Sequence, residues 1–106
     1  MMKLVNGEKV IFDRLVKAIS EWDRIRGLMF RKDKLGMIIE TRFGIHSFFV
    51  FYALTILICD EKWKVVKIRK KLRPFSLFFW NPKFKRAIEL PFYDYKVKIG
   101  DKLKFE

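Results

Sequence analysis

Seventeen consecutive residues, Phe43 to Cys59, carry no formal charge, and that run limits what the chain can become. Its length is at the bottom of the range for a membrane-spanning helix. Gly44, His46 and Ser47 interrupt it, and its many aromatic and β-branched residues favour strands. No membrane span is expected. The run reads as two strands, Ser47–Phe51 and Leu54–Cys59.

The remaining periodicity points the same way. Gly36–Glu40 and Arg86–Leu90 read as strands, and Asp60-Glu61-Lys62 reads as a turn into Trp63–Ile68, a hairpin partner for Leu54–Cys59. Val10–Ile19 fits either period: Phe12, Leu15, Val16 and Ile19 share a helical face, yet alternate residues also sort as in a strand. At the C-terminus, Lys96–Ile99, Gly100-Asp101 and Lys102–Phe105 read as strand, two-residue turn and strand. Glycine in the first turn position suits a type II′ hairpin. Val97, Ile99, Leu103 and Phe105 would then face the core, with four lysines facing water.

A chain of 106 residues makes one domain, 1–106, since no linker or repeat divides it. Its 51% apolar content, with 12 Phe, 3 Trp and 3 Tyr, is ample for a core. The lone Cys59 excludes an internal disulfide and a multi-cysteine metal site, and its apolar surroundings predict a buried thiol. No metal or cofactor is expected. The first residues lack the apolar stretch of a signal peptide, so a cytoplasmic location is expected.

The charge is uneven. Residues 1–53 hold ten basic and six acidic residues, and residues 54–106 hold fourteen and six, within a net charge of +12. Lys62 through Ile88 contains ten basic residues and no acidic one: Lys62, Lys64, Lys67, Arg69, Lys70, Lys71, Arg73, Lys83, Lys85 and Arg86. Such a density suits the phosphates of a nucleic acid or another polyanion, with Trp63 and Trp80 as candidate stacking rings. It also suits an anionic membrane surface, with Phe78-Phe79-Trp80 as a wedge. Alternatively, the lysines simply cover the outside of a barrel. The prolines of Arg73–Pro82 predict an ordered loop, whose Phe78, Phe79 and Trp80 would pack, or contact a protein partner or a second copy.

His46 and Ser47 do not make a hydrolytic pair, because neighbours on a strand face opposite sides. His46 is expected to be half-buried. Glu89 stands in an otherwise apolar strand and needs a cationic partner.

One cluster of motifs identifies a resemblance. Arg26-Gly27-Leu28-Met29-Phe30-Arg31 is followed by His46-Ser47-Phe48-Phe49, Asp60, Val65-Val66, Pro74, Ala87-Ile88-Glu89-Leu90-Pro91 and Gly100-Asp101. Over Ala18 to Leu103 this pattern resembles the domain-of-unknown-function family 192. The resemblance implies a strand before Ser20 and a short helix over residues 20–30, which Ser20 and Asp23 suit as a capped first turn. It also implies that the uncharged run bends near Tyr52-Ala53. The expected architecture is mainly β (α+β): a small antiparallel β-barrel-like or curled sheet with one or two short helices. Arg26 or Arg31 is the expected partner of Glu89.

The resemblance implies no activity. Family members commonly carry a Pro, an apolar residue and an Asp where this chain has Ala53-Leu54-Thr55, so an acid is missing here. The leading expectation is a non-enzymatic binding or accessory module with a basic surface for an anionic partner. The alternatives are a small-ligand or enzymatic site among Arg26, Gly27, Met29, Arg31, His46 and Glu89, or a structural protein-interaction module.

Overall fold

The computed structural model describes residues 1–18, 34–42, 44–47 and 50–106. The described residues form nine strands: β1 (Met2–Asn6), β2 (Lys9–Lys17), β3 (Gly36–Glu40), β4 (Ile45–His46), β5 (Leu54–Cys59), β6 (Val65–Leu72), β7 (Leu77–Phe78), β8 (Arg86–Pro91) and β9 (Leu103–Phe105). Seven join one sheet in the order β6-β5-β8-β3-β2-β1-β9, and β4 pairs with β7 in a separate ribbon. The fold is mainly β. The expected helix over 20–30 lies outside the described residues, and no helix occurs among the described ones. Nor is any helix there long and apolar enough to cross a membrane.

The large sheet curls into a half-barrel. All its pairs are antiparallel except β2–β3. Its two edges meet at one end through a bridge between Lys64 and Lys102, where Val65 N donates to Asp101 O (2.8 Å) and Leu103 N to Trp63 O (3.0 Å). That contact removes part of the exposed edge that an open sheet leaves.

Two apolar layers result. Leu4, Leu15, Ile38, Leu57, Cys59, Val65, Ile88, Leu90 and Leu103 fill the inside of the curl, with contributions from all seven strands. Met37, Ile39, Leu54, Ile56, Ile58 and Ala87 point to the other side, where Ile45, Val50, Phe78 and Trp80 cover them. β5 lies under both layers, and all six of its residues are buried. A strand buried on both faces needs a continuous apolar run rather than alternation, which explains the uncharged sequence.

Gly36 belongs to the inner layer. A methyl group there would sit 2.7 Å from Phe12 Cε2 and 2.8 Å from Leu90 Cδ2. Gly36→Ala is therefore expected to lower stability by about 1–3 kcal/mol through overpacking, read as an earlier midpoint in chemical denaturation with unchanged slope.

Two expectations are corrected. The C-terminal pair is not a local hairpin: β9 pairs with β1, and residues 96–99 are not a strand. The turn centres on Ile99-Gly100, with Asp101 N donating to Lys98 O and Gly100 at φ 99°, so Ile99 is 64% exposed. The glycine-first turn occurs instead at Gly7-Glu8, between β1 and β2, with Gly7 at φ 67°. Likewise, Ser47 and Val50-Phe51 are not in a strand; β4 covers only Ile45–His46. The amide and carbonyl of Ser47 bond Ser76 O and Phe75 N, a loop rather than a ladder.

A candidate anion-binding groove

The β5–β6 turn is fixed by its own acid. Asp60 Oδ1 accepts hydrogen bonds from Lys62 N (2.8 Å) and Lys64 N (2.9 Å), and these amides hold its carboxyl below the usual carboxylate range. Trp63 adopts φ 63° at this turn. Across from it, β3 and β8 run antiparallel with Glu40 opposite Arg86, and Thr41 N donates to Lys85 O (2.8 Å). That register carries Arg42 beside the 81–84 loop, where its Nη1 donates to Pro82 O (2.7 Å).

Between the turn and this loop lies an open groove of about 530 Å³. Six cations line it: Arg42, Lys62, Lys64, Lys83, Lys85 and Arg86, with Cys59, Asp60, Glu61 and Phe84. Four of the sequence candidates, Lys64, Lys83, Lys85 and Arg86, thus meet in one place. Arg42 and Lys62 join them. Arg42 lies outside the basic stretch of the sequence, and only the β3–β8 register brings it here.

Not every candidate is free to bind. Arg86 stacks over the Trp63 ring at 4.9 Å and donates through Nη1 to Glu61 O (2.8 Å), so it braces the groove floor. Trp63 also meets Phe105 edge-on at 4.7 Å, in the apolar seam that closes the half-barrel. Trp80 is buried, and its Nε1 donates to Phe84 O (2.7 Å), so it offers no open face for a base. Lys85 lies 4.0 Å from Glu40, a half-exposed pair of small energetic weight. Lys67, Arg69, Lys70, Lys71 and Arg73 lie along or just after β6, away from the groove. On an edge strand, lysines also discourage pairing with other chains. Lys67 Nζ sits over Phe78 (5.3 Å) and Lys71 Nζ over Phe92 (5.2 Å).

Phe78-Phe79-Trp80 is not a continuous wedge. Period-two alternation buries Phe78 and Trp80 and leaves Phe79 60% exposed.

In the second candidate cluster, Arg26, Gly27, Met29 and Arg31 lie outside the described residues, and so does any pairing of Arg26 or Arg31 with Glu89. His46 is half-buried on β4 beside the buried Ile45, so the two face opposite sides of the ribbon. Glu89 lies in β8 between Met37 and Ile56, and burial pushes its carboxyl up to about 8. Ser47 is fully buried, with Oγ donating to Arg73 O (2.6 Å) and accepting from Ser76 N (2.8 Å). Thr55 donates its hydroxyl to Lys70 O (2.8 Å) at a register shift between β5 and β6. Burial pushes the Cys59 thiol up to about 12, which suppresses the thiolate.

Two solved structures share the fold. A protein of unknown function from Novosphingobium aromaticivorans DSM 12444 is 18% identical, with a TM-score of 0.80 over 97% of this chain and 82% of its own. A candidate transcription regulator from Sinorhizobium meliloti 1021 is also 18% identical, with a TM-score of 0.74 over 98% and 91%. At this identity the likeness concerns the fold. No curated protein matches the chain. The model of the DUF192 family, described as uncharacterized ACR, matches residues 3–105, and the chain belongs to that family.

Proposed function

We propose that this protein is a non-enzymatic binding module that holds an anionic partner in the groove between the β5–β6 turn and the 81–86 segment. One observation carries this reading: six cationic side chains from three separate segments line a single groove that contains only two acids. Asp60 is already engaged by backbone amides, which reduces its repulsion of an anion. Phosphate groups are the natural occupants, because lysine ammoniums and arginine guanidiniums bind them with charge-assisted hydrogen bonds. Binding is favoured over catalysis because the nucleophile candidates are committed elsewhere. The Ser47 hydroxyl clamps a loop, and the Cys59 thiol is buried.

The test is titration of a fluorescent single-stranded oligonucleotide with the protein and with two triple variants of equal charge. Lys62→Gln/Lys64→Gln/Lys83→Gln removes exposed groove cations, whereas Lys96→Gln/Lys98→Gln/Lys104→Gln removes exposed lysines outside it. The groove triple is expected to weaken binding at least about tenfold, and the control triple by no more than about threefold. Equal losses would mean diffuse attraction to a basic protein and would overturn the assignment of a site.

A further inference from the structure

A second surface lies on the β4–β7 ribbon. Phe75, Leu77 and Phe79 alternate with buried or half-buried neighbours and are 55%, 56% and 60% exposed. Phe51, 60% exposed, meets Phe75 edge-on with ring centroids 6.3 Å apart. Four large hydrocarbon side chains thus stand in solvent with no polar end among them. Monomeric proteins seldom leave such patches without use.

The patch is built rather than frayed. Ser47 holds its loop through bonds to Arg73 O, Ser76 N and Phe75 N, and this clamp maintains Phe75 at φ 59°. Gly44 leaves room for Phe79, since a methyl group there would lie 2.4 Å from the Phe79 ring. Exposed cations adjoin it in sequence: Arg73 lies two residues before Phe75, and Arg42 two residues before Gly44. Among the described residues, 41–42, 44–47, 50–59 and 62–88 contain no Asp or Glu.

We propose that this patch docks the protein onto an anionic lipid surface, with Phe51, Phe75, Leu77 and Phe79 entering the headgroup boundary and the flanking cations meeting lipid phosphates. This goes beyond the groove reading and does not depend on it. Hydrocarbon side chains without hydrogen-bonding ends match the interior edge of a bilayer, and the cationic rim matches its charge. A stacking platform for bases fits less well, because Leu77 has no ring and the Phe51 and Phe75 rings engage each other. A second copy fits less well also, since a two-fold contact would bring cationic rims together.

Sedimentation with phosphatidylglycerol–phosphatidylcholine vesicles, against pure phosphatidylcholine vesicles, tests the proposal. Binding to the anionic vesicles is expected to be at least about tenfold tighter, and Leu77→Ser/Phe79→Ser or Phe51→Ser alone should weaken it at least about tenfold. Oligonucleotide binding at the groove should be retained in these variants, which separates the two readings. Absence of binding to anionic vesicles at low salt would overturn the proposal, as would binding that neither variant changes. A dimer dissolved by Leu77→Ser/Phe79→Ser would reassign the patch to self-association. Loss of oligonucleotide binding in that variant, without vesicle binding, would reassign it to nucleic acid.

Discussion

Glu89→Gln is expected to abolish the fall in stability that the Glu89 proton is expected to impose on the native protein between pH 4.5 and about 8. Burial disfavours the carboxylate, so the folded chain holds a proton on Glu89 where the unfolded chain, at the ordinary 4.5, has released it. Unfolding releases that proton, and stability therefore decreases as pH rises through this window. Below the window both states are protonated, and above it both are ionised, so this group adds no slope outside it. The total effect is on the order of a few kcal/mol. Glutamine is neutral throughout, so the variant should gain on the native protein as pH rises. Denaturant titrations at about pH 5 and about pH 9 measure the difference. A variant less stable at both values, with an unchanged profile, would instead mean that Glu89 stays ionised against a cation. That is the outcome a pairing with Arg26 or Arg31 would produce.

Ser47→Ala is expected to cost about 2–4 kcal/mol, because two part-buried backbone groups, Arg73 O and Ser76 N, lose their partner and each unmade bond there costs about 1–2 kcal/mol. For a domain of this size that corresponds to a fall in melting temperature of roughly 10–20 °C. The measurement is thermal unfolding followed by circular dichroism. An unchanged midpoint would show that the hydroxyl is not holding the 73–76 loop, and would return Ser47 to consideration as a chemical group.

The fold was legible where one short segment decides its own burial. β3 and β5 occupy the spans expected of them, Gly36–Glu40 and Leu54–Cys59. Glycine-turn chemistry was legible in kind but not in place. Gly7-Glu8, with glycine first, is the true β1–β2 turn, whereas the alternation at 96–105 pointed to a local pair. There, Leu103 faces the inner layer because β9 pairs with β1, almost a full chain length away. No local pattern encodes that choice.

The candidate site divides in the same manner. Lys64, Lys83, Lys85 and Arg86 were identifiable as cations, but their convergence depends on the β5–β8 and β3–β8 registers. Arg42 had no sequence signal at all. Phe78 and Trp80 pack as expected and Phe79 does not, a split that composition does not report. The period-two alternation through Phe75, Leu77 and Phe79 was the available clue, and it separates these from Phe78 and Trp80.

The dependence of oligonucleotide affinity on salt tests the central claim most directly. Each phosphate neutralised on a single strand contributes about −0.7 to the slope of log affinity against log salt, so three or four groove contacts predict a slope of about −2 to −3. Binding at low salt with that slope, reduced by roughly two units in Lys62→Gln/Lys64→Gln/Lys83→Gln, is the predicted result. Absence of binding at low salt, or an affinity indifferent to salt, would contradict it.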